Sequence, residues 1–433
     1  MNKLYEYLKK VIKGKRTAIL GFGREGKATL KALTETGGYE SITILDSRDV
    51  ANEVSNEFRV ISGEDYQNYL DEFDYVFKSP GIVLNKPIEE YSCNITSEME
   101  VFLSCYGSQV LGVTGTKGKS TTSSLIYNIL KCAGRDCFLA GNIGIPVFEF
   151  ADKVNPDTIA VIEMSCHQLE YLKVSPHAAI LLNIYEDHLD HYGTREKYGL
   201  AKKNIYINQS GNDFLFTTEE TLNEWGKGLG NTKFITKNLL PFKSFDELEG
   251  VSLRGEHNLL NAAFAYEACK LYGITDSEFI EGVRTFKTLP HRLESIGTFD
   301  GVEYIDDSIS TTVNSTICAI ESIKNARIVL VGGMERNIDY EELVRYFVHS
   351  KLKFIICMYE SGRRIFSMYT EKEKEKSSPK ALLCTDLYEA VRLAKENSRA
   401  GEAVLLSPAA ASYGYFKNFE ERGDRFKEFV KEI

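Results

Sequence analysis

The run GTKGKST at Gly115–Thr121 puts two glycines, two lysines and a Ser-Thr pair between an apolar run, Val110–Thr114, and a helical stretch that begins at Lys119. A strand, a glycine turn and a helix N-terminus in that order aim backbone N–H groups and the helix dipole at phosphate oxygens. In such a loop Lys119 reaches the β- and γ-phosphates of a nucleotide and Ser120 ligates Mg²⁺. Gly115, Thr116, Lys117, Gly118 and Thr121 complete the cradle. The strict Walker spacing is not met, because the residue five before Gly118 is Val113; this is the shorter GxxGKST form.

Acids and imidazoles follow at strand ends. Glu163 closes an apolar run in VIEMSCHQLE, where a further Mg²⁺ ligand of a phosphate-loop enzyme stands, although a helix cap or a solvated charge would read the same. Cys166 and His167 beside it fit wall positions. From Asn183 the chain runs NIYEDHLDHYGTREKYGLAKKNIY, which gathers Glu186, Asp187, His188, Asp190 and His191 directly after a buried run, with Lys202 and Lys203 on the next helix. The C-terminal ends of parallel strands are where α/β proteins bind ligands, so position marks this cluster as a site.

A second glycine turn, GFGREG at Gly21–Gly26, precedes all of this, with Asp46 twenty residues beyond Gly26. The pattern suits a dinucleotide, any other diphosphonucleoside, or a turn needed only for packing. Two phosphate-binding devices in series imply two phosphorylated ligands brought together, the layout of an ATP-driven joining enzyme.

The elements that must hold these residues alternate between short apolar runs and helical stretches, the α/β signature. Strands are expected at Thr17–Gly21, Ser41–Asp46, Phe73–Lys78, Val110–Thr114, Thr158–Ser165, Ala178–Ile184, Arg327–Val331, Phe354–Met358 and Ala403–Leu406. Helices are expected after Gly26 and over Asn258–Leu271. Leu4, Leu8, Val11 and Ile12 mark a short amphipathic helix, and EKEKEKSSPK at Glu371–Lys380 reads as a solvated loop.

At 433 residues the chain exceeds one core, and three α/β domains are expected. The net charge of −10 argues against a broad nucleic-acid surface. No run of about 18 apolar residues suggests a membrane span. Nine cysteines without paired or zinc-type spacing read mostly as reduced core residues. A cytoplasmic enzyme acting on small molecules is the expectation.

Taken together the residues resemble the Mur ligases, the ATP-dependent amino-acid ligases of peptidoglycan synthesis. The resemblance runs through GTKGKST, GNIG at Gly141–Gly144, EMSCHQLE, EDHLDHY with AKK, GEHNLLNA at Gly255–Ala262 and LPHRLE at Leu289–Glu294. It continues through DDS at Asp306–Ser308, GGMERNIDY at Gly332–Tyr340 and LSPAAASYGYFKNFEERG at Leu406–Gly423. It implies an α/β fold in three domains: a Rossmann-like UDP-substrate domain over 1–107, a P-loop ATPase-like domain over 108–288 and a Rossmann-like glutamate domain over 289–433. The implied reaction joins glutamate to UDP-N-acetylmuramoyl-L-alanine with ATP and two Mg²⁺ ions, in a monomer that uses neither nucleic acid nor membrane.

By the same resemblance Gly23, Arg24, Glu25, Asp46, Ser47, Ser79 and Gly81 hold the UDP, and Asn142, Ser165 and Gln168 the muramoyl-alanine end. Lys119, Glu163, His188 and Lys202 form the catalytic group. Ser120, Glu163, His188 and a carbamate on Lys202 serve the metal ions, with Lys203 as the alternative lysine. Asn258, Asn261, Arg292 and Asp307 complete the ATP site, and Thr311, Arg336, Ser412 and Phe419 surround the glutamate. Three segments depart from the family pattern: DSISTT with Ile309 and Thr312, Ser165-Cys166-His167-Gln168, and Gly333-Met334-Glu335-Arg336. The resemblance favours D-glutamate as the amino acid added, and these departures keep an L-glutamate-adding variant as the alternative. A folylpolyglutamate-synthase-like ligase shares the central loop, but the GFGREG domain ahead of it speaks against that reading.

Overall fold

A computed structural model describes residues 2–372 and 378–432. The chain divides into two compact units, one running up to Lys243 and including Leu260–Val283, the other combining Ser244–Leu259 with Arg284 onward.

The first unit carries two parallel sheets. β1 (Arg16–Leu20), β2 (Ser41–Asp46), β3 (Arg59–Ser62), β4 (Tyr75–Lys78) and β5 (Asn94–Thr96) lie in the order β3-β2-β1-β4-β5. β6 (Val110–Thr114), β7 (Cys137–Gly141), β8 (Ile159–Glu163), β9 (Ala178–Leu181), β10 (Phe214–Thr217) and β11 (Asn231–Phe234) lie in the order β11-β10-β9-β6-β8-β7. β6, β8 and β9 are buried along their whole length, as unbroken apolar runs covered on both faces should be. One hydrophobic cluster serves both sheets, from Leu4, Leu8 and Ile12 of the helix Lys3–Ile12 through Phe102 and Phe150 to Leu215.

The second unit holds β12 (Glu294–Phe299), β13 (Val302–Asp306), β14 (Ala326–Val331), β15 (Phe354–Cys357), β16 (Lys380–Leu383) and β17 (Ala403–Leu406), ordered β12-β13-β17-β14-β15-β16. Only the β12–β13 hairpin is antiparallel; the other neighbours are parallel. This hairpin was not expected. Its signal was Asp300-Gly301, whose φ values of 51° and 81° both lie in the left-handed range that a tight hairpin turn demands.

The nine expected strands are β1, β2, β4, β6, β8, β9, β14, β15 and β17, with ends shifted by up to three residues, whereas β3, β5, β7, β10, β11 and β16 were not expected. β8 stops at Glu163 because Met164 and Ser165 turn into the helix Cys166–Leu169, and β9 stops at Leu181. The helix expected after Gly26 starts earlier, at Arg24, so Gly26 sits inside its first turn. The helix expected over Asn258–Leu271 runs Glu256–Lys270. Of the expected loop Glu371–Lys380, residues 373–377 lie outside the described residues, while Glu371 ends a helix and Lys380 opens β16. All nine cysteines are free, and five of them are buried. Among the described residues no helix is long and apolar enough to cross a membrane.

Gly26 shows what the first glycine turn requires. A Cβ there would stand 2.2 Å from the Gly21 carbonyl oxygen, so the helix can approach β1 only without a side chain at that point. Gly26→Ala is therefore expected to destabilise the protein by about 1–3 kcal/mol, the usual cost of overpacking against a rigid neighbour. Urea unfolding of the variant measures it, and an unchanged midpoint would contradict the close approach.

Candidate functional site

In each parallel sheet the loops of interest leave the C-terminal strand ends where the strand order reverses, the place at which such sheets form ligand crevices. In the first sheet those loops follow β1, β2 and β4, and they are tied together. The Ser79 hydroxyl donates to the Gly21 carbonyl at 2.8 Å. Asp46 accepts the Phe22 N–H at 2.8 Å and the Arg48 N–H at 2.9 Å, besides pairing with the Arg48 guanidinium. Burial works to raise the Asp46 pKa, but these three donors outweigh it and hold the carboxyl below the usual range. Gly23 precedes the helix Arg24–Thr36, and Ser47 and Gly81 are exposed.

The two sheets meet through charged and amide groups. Arg24 donates to the Gly144 carbonyl at 3.4 Å, and the Gln168 amide donates to Glu25 at 2.7 Å. Burial raises the Glu25 pKa in spite of that bond. Lys78, at the end of β4, is buried beside them and donates to the carbonyls of Ser79 and Pro80 at 3.3 and 3.2 Å. Desolvation brings its pKa down to about 8. Ser165 and Gln168 close a reciprocal capping box on the helix Cys166–Leu169.

The phosphate loop is held from three sides. Gly118 adopts φ +89°, and a Cβ there would stand 2.6 Å from Asn261 Oδ1, so both backbone conformation and space call for glycine. The Asn183 side chain, just beyond β9, accepts the N–H groups of Thr116 and Lys117 at 3.1 and 2.9 Å and donates to the Lys117 carbonyl at 3.1 Å. The Tyr198 hydroxyl donates to Thr116 Oγ1 at 3.2 Å. Neither Asn183 nor Tyr198 was singled out from the sequence; only their place at a strand end and on the helix carrying Lys202 hinted at them.

Two ammonium groups converge on one oxygen. Lys119 Nζ and Lys202 Nζ each donate to the Gly115 carbonyl at 2.9 Å. Lys202 is 1% exposed and lies over the Tyr198 ring, 4.7 Å from its centre. Desolvation, then the charge of Lys119, lowers its pKa to about 7, so much of it is a neutral amine at physiological pH. Lys202, and not Lys203, is the lysine that reaches the loop. Glu163 accepts the Asn142 amide at 2.7 Å through Oε1, while its buried Oε2 has no hydrogen-bond partner. An orphaned carboxylate oxygen at this depth is a donor atom suited to a cation. His188, exposed and in the left-handed conformation at φ 52°, starts the turn Leu189–Tyr192. Burial and the neighbouring His191 and His188 lower the pKa of His167 to about 4.

Within the expected ATP set, Gly115–Thr121 and Asn261 belong to the first unit, and Asn258, Arg292 and Asp307 to the second. Asp307 follows β13, accepts the Ser407 hydroxyl at 2.9 Å, and is pushed up to about 7 by complete burial. In the same unit Thr311 is half-buried and Ser412 buried. Arg336 lies over the Tyr413 ring at 5.6 Å, and the Phe419 carbonyl accepts the Ser308 hydroxyl at 2.8 Å. Arg422, also missed from the sequence, is fully buried there. It donates to Ser308 Oγ at 3.0 Å, to the Ser308 carbonyl at 2.8 Å and to the Ala410 carbonyl at 3.0 Å, which joins the loop after β13 to the loop after β17.

Comparison with known proteins gives this geometry a family. Residues 113–269 match the Mur ligase middle domain, and residues 291–410 match the Mur ligase glutamate ligase domain. The chain is 32% identical, over all of both chains, to a protein of Clostridium kluyveri named UDP-N-acetylmuramoylalanine–D-glutamate ligase. It is equally close, with the same coverage, to one of that name from Acetivibrio thermocellus. Among solved structures its fold resembles the MurF ligase of Thermotoga maritima in complex with ADP. The TM-score is 0.61 at 20% identity, covering 98% of this chain and 96% of that one. It also resembles MurF of Acinetobacter baumannii, with a TM-score of 0.60 at 14% identity, covering 99% and 98%. On the strength of the full-length relatives, this chain belongs to the Mur ligase family.

Proposed function

We propose that this chain joins D-glutamate to UDP-N-acetylmuramoyl-L-alanine at the expense of ATP, in the cytoplasmic assembly of peptidoglycan precursors. The observation that carries the reading is the convergence of Lys119 and Lys202 on the Gly115 carbonyl. The names of the full-length relatives support the substrate and the D hand over the L alternative.

A carboxylate does not condense with an amine in water. A carboxylate oxygen of the alanine attacks the γ-phosphorus of ATP, the bond to the bridging oxygen breaks, and ADP leaves. The amine nitrogen of glutamate then attacks the acyl carbon, phosphate departs with the former carboxylate oxygen, and the nitrogen loses a proton. Lys119 holds the β- and γ-phosphates, while Asn183, by taking the N–H groups of Thr116 and Lys117, fixes the loop backbone around them. Ser120, Glu163 with its partnerless Oε2 and His188 would hold Mg²⁺, joined by Lys202 once it carries a carbamate. Bound there, the ion offsets the repulsion between carboxylate and triphosphate. The neutral amine of Lys202 is the form that adds CO₂, forming an N–C bond and releasing a proton, which turns a buried cation into an anion beside Lys119.

The Rossmann-like domain over 1–107 takes the UDP through Gly23, Arg24, Glu25, Asp46, Ser47, Ser79 and Gly81. Asn142, Ser165 and Gln168, each bonded to a neighbouring residue in the free protein, shape the floor for the muramoyl-alanine end. Residues 108–288 form the P-loop domain and 289–433 the glutamate domain. In the glutamate domain Arg336 offers a planar fork for a carboxylate of the amino acid, with Thr311, Ser412 and Phe419 around it; Asn258 and Asn261 of the P-loop domain and Arg292 and Asp307 of the glutamate domain are the further residues assigned to ATP.

Phosphate release is expected only when ATP, UDP-N-acetylmuramoyl-L-alanine and D-glutamate are all present. Release with L-glutamate alone would sink the D assignment, and release with neither would sink the ligase reading. Lys119→Ala should lower kcat by about 10²–10³-fold, the usual loss when one charge-stabilising donor is removed; unimpaired turnover would refute its role.

A pH experiment isolates Lys202. Its pKa falls from 10.5 in the open chain to about 7 when folded, so the cost of burying its charge is fully present below about pH 7. That cost fades as pH rises towards 10.5, because the unfolded chain binds the extra proton in that window. Lys202→Met should therefore be more stable than the parent in CO₂-free buffer at pH 6, by a few kcal/mol, and lose that advantage progressively above pH 7. A stability difference that does not change with pH would contradict the lowered pKa.

A further inference from the structure

The single helical turns Cys166–Leu169 and Leu189–Tyr192, which follow β8 and β9, face each other through imidazoles. The His167 and His191 ring centres are 4.4 Å apart, with the planes at 70°. His191 Nε2 lies 3.1 Å from Glu170 Oε2. The Tyr192 hydroxyl, 3.4 Å from His167 Nδ1, occupies one nitrogen of that ring and leaves the other available. One donor atom each from His167, Glu170 and His191 lie within 4.8 Å of one another, and the His191 and Glu170 side chains are only 10% and 18% exposed. Bonds of about 2.0–2.1 Å in a tetrahedral site put donors roughly 3.4 Å apart, a spacing that small side-chain rotations reach here.

We propose that His167, Glu170 and His191 form a binding site for a zinc-class divalent ion, with a fourth position left to water. Two imidazoles and a carboxylate suit a borderline ion, whereas Mg²⁺ takes oxygen donors and parts with its water reluctantly. The site is separate from the donors assigned to Mg²⁺, namely Ser120, Glu163, His188 and Lys202. An ion held there would clamp the loop after β8 to the loop after β9, the two loops that follow Glu163 and lead into and out of His188.

Two other clusters are less suited. His291, Glu294 and Asp306 also lie within 4.8 Å of one another, but Lys427 Nζ stands 2.8 Å from Glu294 and 3.6 Å from Asp306 and already supplies the cation. Cys166, His167 and His188 share His167 with the proposed site but bring no carboxylate, and they draw on the exposed His188.

The test uses the full chain, stripped of metals and kept in excess Mg²⁺ without nucleotide, so it stands apart from the ligase reading. Co²⁺ is titrated in while its visible d–d absorption is followed. One equivalent is expected to bind with the strong bands of a four-coordinate ion and to be displaced by Zn²⁺. His191→Gln, His167→Phe and Glu170→Gln should each weaken binding at least about tenfold, and His188→Gln should leave it intact. Urea midpoints confirm that each variant is folded, and Zn²⁺ should raise the melting temperature of the parent but not of Glu170→Gln. Absence of Co²⁺ binding, binding that survives His191→Gln and Glu170→Gln, or binding lost in His188→Gln alone would overturn the proposal.

Discussion

A single carbonyl oxygen, that of Gly115, takes hydrogen bonds from two lysines, and much of the centre follows from that crowding. Two ammonium groups sharing one acceptor repel each other, and in a water-poor pocket the repulsion is poorly screened. Desolvation first, and then the charge of Lys119, bring the deeply buried Lys202 down to a pKa of about 7. Two lysines on one loop carbonyl make a local excess of positive charge, the electrostatic setting that suits a polyanion.

That loop can bear the crowding because its backbone is fixed elsewhere. Asn183 satisfies two of its N–H groups and one carbonyl, Tyr198 holds Thr116, and Asn261 packs where Gly118 has no side chain. The second unit uses a comparable device built on a charged group. The buried guanidinium of Arg422 gathers Ser308 and Ala410, although desolvation draws its pKa down to about 10. In both units the functional loops are short and irregular, and a polar side chain from a distant element replaces the regular hydrogen bonding they lack.

This division explains what could be read from the sequence. β2, β6 and β17 fall on the apolar runs that predict them, because an unbroken buried run leaves few alternatives. Lys119 and Glu163 stand where the glycine turn and the strand end place them, and of the two candidate lysines it is Lys202 that reaches the loop. The clamps were not: Asn183 lies 66 or 67 positions from the groups it holds, and Arg422 lies 114 from Ser308, separations that no local pattern encodes. The His167–His191 pairing escaped for the same reason, since it depends on two turns from different strands coming face to face. The Asp300-Gly301 hairpin was the exception, a local signal present in the sequence and passed over.

The loops after β8 and β9 thus offer two donor environments side by side, and their chemistry keeps them apart. Near the phosphate loop the donors are a hydroxyl, a carboxylate with a free oxygen and a lysine that can become an anion, with His188 at the edge. Oxygen dominates that proposed set, a chemistry that would suit a hard ion. A turn away, His167 and His191 replace oxygen with imidazole nitrogen, and Glu170 supplies one negative charge. An ion that prefers nitrogen gains little by moving to the phosphate loop, and Mg²⁺ gains little by moving away from it. The short spacing between His167 and His188, with ring centres 5.1 Å apart, is where this separation is weakest. Glu170, 3.1 Å from His191 Nε2, would hold an ion of the proposed site on the His191 side of His167, the side on which the two rings stand closer.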